Sequence, residues 1–578
     1  MCGILCCLSP TDEKLPSFND RLKTIEHRGP DETNITTVQS TNLTTFTCGF
    51  NRLAISDVIH GEQPIDSGDW LHAHNGEFYD TGEDGSDSNV LKKMTSGNAI
   101  EFASSLNGIF AYCSYHKESE TLYVGRDRFG VIPLYYVTEH LPTANHVKGY
   151  ERIWFASEAK ALIGLGDIHM FPPNNLMVCG LRNKAGDAFF TIKMENYEIH
   201  PPFPTSNYND VSNGKLVNRM TDELLPDIFF QKLRDAVGKR TQNEVPWASA
   251  LSGGLDSTII SSLLHKREQQ DGITNVKTFS IGLKNSKELE VAKQIGDHFG
   301  MHHTITVTVE EALEVVPDVI WALETYDVTT IRAGVMNYIL AKNMKKFGTK
   351  VVYSGEGSDE LFGGYLYFHH CPTADHMQYE LIRKLKDLCY YDCLRCNKAF
   401  AAWGIECRVP FLDHDFVQHV MKINPMHKLS STHPTHPTPE KYILRKNFQW
   451  HLEEVHPSHV DECIERSEYG NFCWRQKDQF SDSVGKDWIE GLVAEAEKCV
   501  TDTKLKEAEK IYPFQTPKTK EAYRYRKIFE DLFLCSGKNF VKYDNNTVAC
   551  STSIGAEWCK DIQKDPSGNY VKESINKK

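Results

Sequence analysis

Over the first 200 residues the apolar positions fall in short alternating runs. "TTFTCGF", "WLHAHNGEFY", "GIFAYCSYH", "TLYVGRD", "IPLYYVT" and "RIWFASE" are each closed by Gly, Asp, Asn or Pro, the signature of half-buried strands ended by turns. A mainly β domain of layered sheets is therefore expected over residues 1–205. The Pro, Asn and Ser stretch "HPPFPTSNYNDVSNGK" then breaks the pattern, as a linker does. Beyond it the period changes. Phe229, Leu233, Ala236 and Val237 recur at helical spacing, while "WASAL", "KTFSIGL", "HTITVTV" and "KVVYS" read as strands with helical stretches between. Such alternation predicts a parallel sheet covered by helices over residues 206–530, with ligands at the carboxyl ends of its strands. Residues 531–578 are polar and weakly patterned and read as a tail.

Composition narrows the class of protein. A chain of 578 residues exceeds one ordinary core, in keeping with two or three domains. Its formal charge of −14 argues against a general nucleic-acid binder, which needs clustered Lys and Arg. There is no 18-residue apolar run for a membrane span, and the opening "MCGILCCLSPTDEK" lacks the basic and apolar regions of a signal peptide. A cytoplasmic location is the expectation. The 17 cysteines are odd in number and scattered, which suggests reduced thiols. Cys389, Cys393 and Cys396 have a spacing used for iron–sulfur clusters, but they sit in "LIRKLKDLCYYDCLRCNKAFAAWG", whose apolar residues recur at helical spacing.

The strongest local signal is "ASALSGGLDSTIISSLL", an apolar strand, a Gly253-Gly254 turn and a helix carrying Ile259, Ile260, Leu263 and Leu264. Backbone N–H groups and the helix dipole converge there on an anion, with Ser252 and Ser257 adding hydroxyls. Asp256 sits among them, and a carboxylate beside phosphate needs a cation. Mg²⁺ suits, because it takes one or two carboxylates plus phosphate oxygens. No Gly-Lys pair is followed by Ser or Thr, so the G-x-x-x-x-G-K-[ST] phosphate loop is absent. A second segment, "VVYSGEGSDELFGGY", repeats strand, glycines and carboxylates at Glu356, Asp359 and Glu360. Asp359 is the expected second metal ligand.

"SGGLDS" resembles the pyrophosphate loop of ATP pyrophosphatases, which cleave ATP between the α and β phosphates. With "CGI" at the start, "HRGPD" from His27, "NGEFY" from Asn75, "GRDRFGVIPLYY" from Gly125, "ETYDVTTIRA" from Glu324, "SGEGSDE", "RVPFLD" from Arg408, "WRQKDQFSD" from Trp474 and "TPKTKEAYRYR" from Thr516, nearly the whole chain is similar to the glutamine-hydrolysing asparagine synthetases. The resemblance implies an N-terminal nucleophile glutaminase, an αββα sandwich, ahead of an α/β ATP pyrophosphatase domain. It further implies ammonia passing through an internal channel, aspartate reacting with MgATP to give β-aspartyl-AMP and pyrophosphate, and ammonia displacing AMP. Relatives are often dimers, so a homodimer is expected.

The same matching assigns residues. Cys2 would be the nucleophile; its thiol needs a base, and the α-amine freed on removal of Met1, with an ordinary pKa of about 7.7–8.0, is one on the same residue. Asn75 and the backbone of Gly76 match the oxyanion donors. Arg52 would grip the glutamine α-carboxylate and Asp87 its α-amine, with Leu53, Ala54, Ile55, Ser56 and Glu77 completing that site. Leu251, Ile281, Ser354 and Gly355 match positions lining the adenine nucleotide, beside Ser252, Gly253, Gly254, Asp256 and Ser257. Glu356 matches the residue tied to forming the acyl-adenylate, Thr329 and Arg332 match contacts to aspartate or the intermediate, and Lys477 matches a lysine that neutralises departing phosphates.

Several segments depart from the family. The stretch between "NGEFYD" and "SDSN" is short, which bears on where Asp87 lies. "FPPNNL" has Asn174 and Asn175 in place of a glycine turn, which Asn tolerates. "VHPSHVDECIERSEYG" looks like a surface insertion, and Ser483 replaces a glycine near Lys477. A β-lactam synthetase-like enzyme shares the architecture, but intact Cys2, Arg52, Asn75 and "ETYDVTTIRA" count against it. The shortened loop alone favours a homologue that binds without turnover.

Overall fold

The computed structural model describes the chain except residues 11–14, 16, 41–43, 80–85, 141–149, 185–186, 198–225, 242–243, 271–275, 285, 431–438, 456–472, 476–485, 534–539, 542–556 and 559–578. The expected linker, the insertion after Val455, Lys477 and Ser483 lie outside the described residues.

The N-terminal domain is built on antiparallel pairs: β1 (Gly3–Pro10), β2 (Glu32–Gln39), β3 (Thr44–Arg52), β4 (Ile65–Asp66), β5 (Trp70–Phe78), β6 (Gly108–His116), β7 (Thr121–Arg126), β8 (Tyr135–His140), β9 (Tyr150–Ala156), β10 (His169–Met170), β11 (Asn175–Lys184) and β12 (Asp187–Asn196). The order β2-β3-β1-β9 passes into β12-β11-β7-β6-β5-β4 through one pairing, Phe190 with Tyr150. Strand alternation explains the layers. Ile4, Cys6 and Leu8 face Ala111, Cys113 and Tyr115 of β6 in one core. Leu5 and Cys7, on the other face of β1, meet Phe18 and Leu22 of helix α1 (Phe18–Lys23). Phe110 and Tyr112, on the other face of β6, meet Phe102 and Ala103 of helix α2 (Ala99–Ser105). The stacking is helix, sheet, sheet, helix, as expected. Asn174 takes the left-handed conformation, φ 59°, that its place in "FPPNNL" required.

The second domain opens with α3 (Pro226–Lys239), whose Phe229, Leu233, Ala236 and Val237 are all buried. Its five strands, β13 (Trp247–Ala250), β14 (Val276–Leu283), β15 (Gly300–Val307), β16 (Val351–Tyr353) and β17 (Glu406–Arg408), are parallel in the order β15-β14-β13-β16-β17. The chain winds outward from β13 to β15 and resumes on the opposite side at β16, so the switch point lies between β13 and β16. The helices that matter below are α4 (Leu255–Gln270), α5 (Lys287–Phe299), α6 (Val316–Leu323), α7 (Val328–Lys346), α8 (Asp392–Ala401), α9 (Tyr442–Val455) and α10 (Lys520–Phe533).

Two expectations need correction. β17 was not anticipated, because "ECR" is too short to show a period and is buried on both sides. Residues 531–578 are not simply a polar tail: Phe540 and Val541 are buried with Phe529 and Phe533 of α10, and Trp558 packs near Tyr367 and Phe368. Cys393 and Cys396 lie on α8, buried, with the Sγ of Cys396 2.9 Å from that of Cys407.

Candidate functional site

The structure gathers candidate residues into two pockets, one in each domain. In the first, Cys2 begins just before β1 and lies beside β3, β5 and the loop after Arg52. The backbone N–H of Cys2 donates to Asn75 Oδ1 at 2.7 Å, and the N–H of Leu53 points at Cys2 Sγ at 3.4 Å. Arg28, wholly buried, donates from Nε to the Cys2 carbonyl at 3.0 Å. Burial pushes the Cys2 thiol up, offset by the N-terminal charge and the Leu53 backbone, so ionisation depends on a nearby base. Gly76 has φ 106°, and a Cβ there would lie 2.0 Å from the Ile109 carbonyl oxygen, so no other residue fits after Asn75.

The loop from Leu53 to Ser56 wraps this thiol. Ala54 N–H donates to Asp31 at 2.8 Å, Glu244 N–H to the Ile55 carbonyl at 3.2 Å, and Ser56 lies 3.5 Å from Glu77. Arg52 donates from Nη2 to the Asp57 carbonyl at 2.7 Å and faces Glu32 at 3.5 Å, which orients the guanidinium. Asp87 accepts from the N–H of Phe78 at 2.9 Å and lies 3.4 Å from His74 Nε2, so it stays tied to the strand carrying Asn75 and Gly76. Glu77 reaches into the other domain, where Arg408 holds it at 2.9 Å. Met1 is buried, its α-ammonium 3.1 Å from Glu406, also in β17. Burial opposes ionisation of Glu406, yet the terminus and Arg408 outweigh it and hold the carboxyl low.

The second pocket is a cleft of about 190 Å³ at the switch point. Leu251, Ser252, Asp256, Ser257, Ile281, Thr329, Ser354, Gly355, Glu356 and Asp359 all line it, drawn from the ends of β13, β14 and β16 and from α4 and α7. Gly253 has φ 74°, and a Cβ there would press on the Glu288 carbonyl at 2.7 Å, while Gly254 accepts the hydroxyls of Ser257 and Thr258 at 3.1 and 2.7 Å. The two glycine loops touch: a Cβ on Gly355 would lie 2.8 Å from the Cβ of Asp256.

Asp256 and Asp359 converge on one cation. Lys441 Nζ lies 2.7 Å from Asp256 Oδ2 and 2.5 Å from Asp359 Oδ1, and a Cβ on Gly364 would strike both Asp359 and Lys441. Burial opposes the lysine's charge, but the two carboxylates raise its pKa well above the usual value. The same two carboxylates are the donors that a divalent cation would take in place of the lysine, although among the described residues no group of three or more His, Cys, Asp or Glu gathers there. Glu356 is paired with Arg395 at 2.6 Å; burial, opposed by that arginine and aided by Asp392, pushes its carboxyl up. Thr329 Oγ1 is buried on the cleft wall without a partner among the described residues. Arg332 is not on that wall: its Nε and Nη2 make a bidentate pair with Glu521 of α10 at 2.9 and 2.6 Å.

Sequence reasoning missed Lys441, Arg395, Arg28 and Glu406. "EKYILRK" carries no spacing that marks its lysine, and Arg395 reads as one polar position of an amphipathic helix. "HRGPD" contains Arg28 and "RVPFLD" begins two residues after Glu406, but neither motif shows the distant partners, Asn397 for Arg28 and the Met1 terminus for Glu406.

Known proteins agree with this division. A family model described as a glutamine amidotransferase domain matches residues 1–177, and one described as asparagine synthase matches residues 229–376 and 371–554. The chain is 36% identical over 577 residues to the glutamine-hydrolysing asparagine synthetase B of Escherichia coli (strain K12), covering 95% of this chain and 94% of that one. It is 35% identical over 597 residues to the glutamine-hydrolysing asparagine synthetase of Asparagus officinalis, covering 98% and 92%. A probable counterpart from Dictyostelium discoideum is 36% identical over 566 residues, covering 92% and 94%. With both matched domains in order and that identity along nearly its full length, the chain belongs to the family of glutamine-hydrolysing asparagine synthetases.

Proposed function

We propose that the protein converts aspartate to asparagine with ammonia taken from glutamine, and that ATP is cleaved to AMP and pyrophosphate in doing so. The observation that carries this reading is the convergence of Asp256, Asp359 and Lys441 beside two glycine loops at the switch point.

In the glutaminase pocket, Sγ of Cys2 attacks the glutamine amide carbon, and its proton passes to the α-amine freed by loss of Met1. Asn75 and the Gly76 backbone stabilise the oxyanion, while Arg52 and Asp87 hold the α-carboxylate and α-amine. Collapse releases ammonia and leaves a thioester, which water hydrolyses to glutamate. In the cleft, Leu251 and Ile281 flank the adenine, and the Ser252–Ser257 loop with Ser354 and Gly355 cradles the phosphates. Asp256 and Asp359 would hold Mg²⁺, which supplies charge neutralisation to the phosphates when bound. The aspartate side chain attacks the α-phosphorus, and pyrophosphate leaves from beside Lys441, with Lys477 as a further cation. Glu356, its carboxyl raised by burial, takes a proton from incoming ammonia as AMP departs. Thr329 offers its hydroxyl, which has no partner among the described residues, to aspartate or the intermediate, while Arg332 stays paired with Glu521 off the cleft wall.

The thirteen described cysteines are all free thiols, which supports a reducing cytoplasmic setting. Among the described residues no helix is long and apolar enough to cross a membrane. A homodimer completes the reading, supported by the family alone. The test is pyrophosphate release with ATP, Mg²⁺ and a panel of small acids, with glutamine or ammonium as nitrogen source. Release is expected to require aspartate and to match asparagine formed; release independent of aspartate would overturn the reading.

A further inference from the structure

Helix α8 touches both sites within two turns. Arg395 pairs with Glu356 in the cleft, and two residues on, Asn397 faces the glutaminase. Arg28 carries three fixed partners: Nε donates to the Cys2 carbonyl at 3.0 Å, Nη1 to Glu158 at 2.8 Å and Nη2 to Asn397 Oδ1 at 3.1 Å. The guanidinium is planar, so partners on its two terminal nitrogens fix the direction in which Nε points. Asn397 holds its own orientation, because its Nδ2 donates to the Val131 carbonyl at 3.1 Å; a flipped amide would set donor against donor and oxygen against oxygen. Both Arg28 and Asn397 are buried, so water cannot replace either bond. The next residue, Lys398, is buried and paired with Glu324, whose carboxylate accepts from the N–H groups of Ala159 and Lys160 at 2.9 and 2.6 Å, so α8 is pinned to the first domain.

We infer that Asn397 of the synthetase domain is a positioning residue for the glutaminase: it orients Arg28, and Arg28 sets the backbone of the Cys2 nucleophile. The inference rests on the reaction proposed above. It makes alignment of the thiol depend on a docked second domain, so that ammonia is released where it can be used.

Two near-isosteric variants of the full chain test this, Asn397→Leu and Asn397→Asp, assayed beside the wild type for glutamate, asparagine and pyrophosphate. Leu removes the acceptor for Arg28, while Asp keeps it and sets its second oxygen against the Val131 carbonyl in place of the Nδ2 donor. In Asn397→Leu, glutamine-driven kcat/KM is expected to fall about tenfold or more, the scale of a lost bond to a buried charge. The glutamate formed per asparagine should stay close to that of the wild type, and ammonia-driven synthesis should stay within about twofold. Asn397→Asp should recover most of the glutamine-driven rate. Equal losses in both variants, or an equal fall in ammonia-driven synthesis, would overturn the inference. A wild type whose pyrophosphate release ignores aspartate would instead overturn the reaction on which it rests, and the inference with it.

Discussion

The glutaminase pocket and the nucleotide cleft solve opposite electrostatic problems. Around Cys2 the contacts to the thiol and backbone N–H are dipoles, the Leu53 N–H and the Asn75 side chain, and the Arg28 guanidinium that holds its carbonyl is already paired with Glu158. The charges, Glu77 with Arg408 and Glu406 with the chain terminus, are already paired across the domain boundary. Around Asp256 the contacts are bare charges of both signs, with Asp359, Lys441, Glu356 and Arg395 along one cleft. Hydrolysis of a neutral amide needs a nucleophile aligned and an oxyanion met by oriented donors. Adenylation brings a carboxylate against a polyphosphate, which needs counter-charge before anything can approach.

The largest predicted effect separates the two regions completely. Cys2→Ala should lower glutamine-driven asparagine formation by roughly 10³-fold or more, since no other group replaces the thiolate. Ammonia-driven formation should persist; loss of both rates together would show that the pockets are not independent. Lys441→Met is the reverse experiment. It strands Asp256 and Asp359 beside each other, and synthesis from either nitrogen source should fall by about 10²–10³-fold, with glutamate release from glutamine alone unchanged.

A smaller effect tests how close the glycine loops must lie. In Gly355→Ala the new methyl meets the Cβ of Asp256 at 2.8 Å and the Ser257 nitrogen at 2.9 Å. The KM for ATP should rise about tenfold with little change in glutaminase rate. The mildest test is titration. Burial raises the Glu356 pKa, so its carboxylate exists only above that raised value, and acid should remove it sooner than an ordinary glutamate. At constant free ammonia, synthesis should decline as pH falls through that range, and Glu356→Gln should show a lower, flatter profile.

The two regions were also unequally legible in the sequence. The cleft could be read in outline because its parts are local: "SGGLDS" and "SGEGSDE" each follow an apolar strand, and the fold brings their carboxylates onto one point. What escaped was the cation between them, since Lys441 comes from the turn just before α9, 185 residues from Asp256. The glutaminase sheets were legible strand by strand from alternation. Their dependence on the second domain was not, because Arg28 and Asn397 lie 369 residues apart and each looks like an ordinary polar position until the domains dock. β17 stayed hidden for a related reason: three fully buried residues show no period, although they carry both Glu406 and Arg408. Burial of Phe540 and Val541 shows the limit of pattern reading, since two apolar residues in a polar stretch suffice to anchor it when α10 offers Phe529 and Phe533.

The burial of Met1 sets a clock. Its ammonium is closed off by a partner 405 positions downstream, so the terminus stays reachable only until Glu406 has been synthesised and its strand docked. At ribosomal speeds of about 5–20 residues per second, that leaves roughly 20–80 s of synthesis during which an aminopeptidase meets an open end. A chain trimmed in that interval folds around a free cysteine amine. One that misses it folds around methionine and keeps its thiol beside an amide nitrogen, with the Met1 ammonium buried against Glu406.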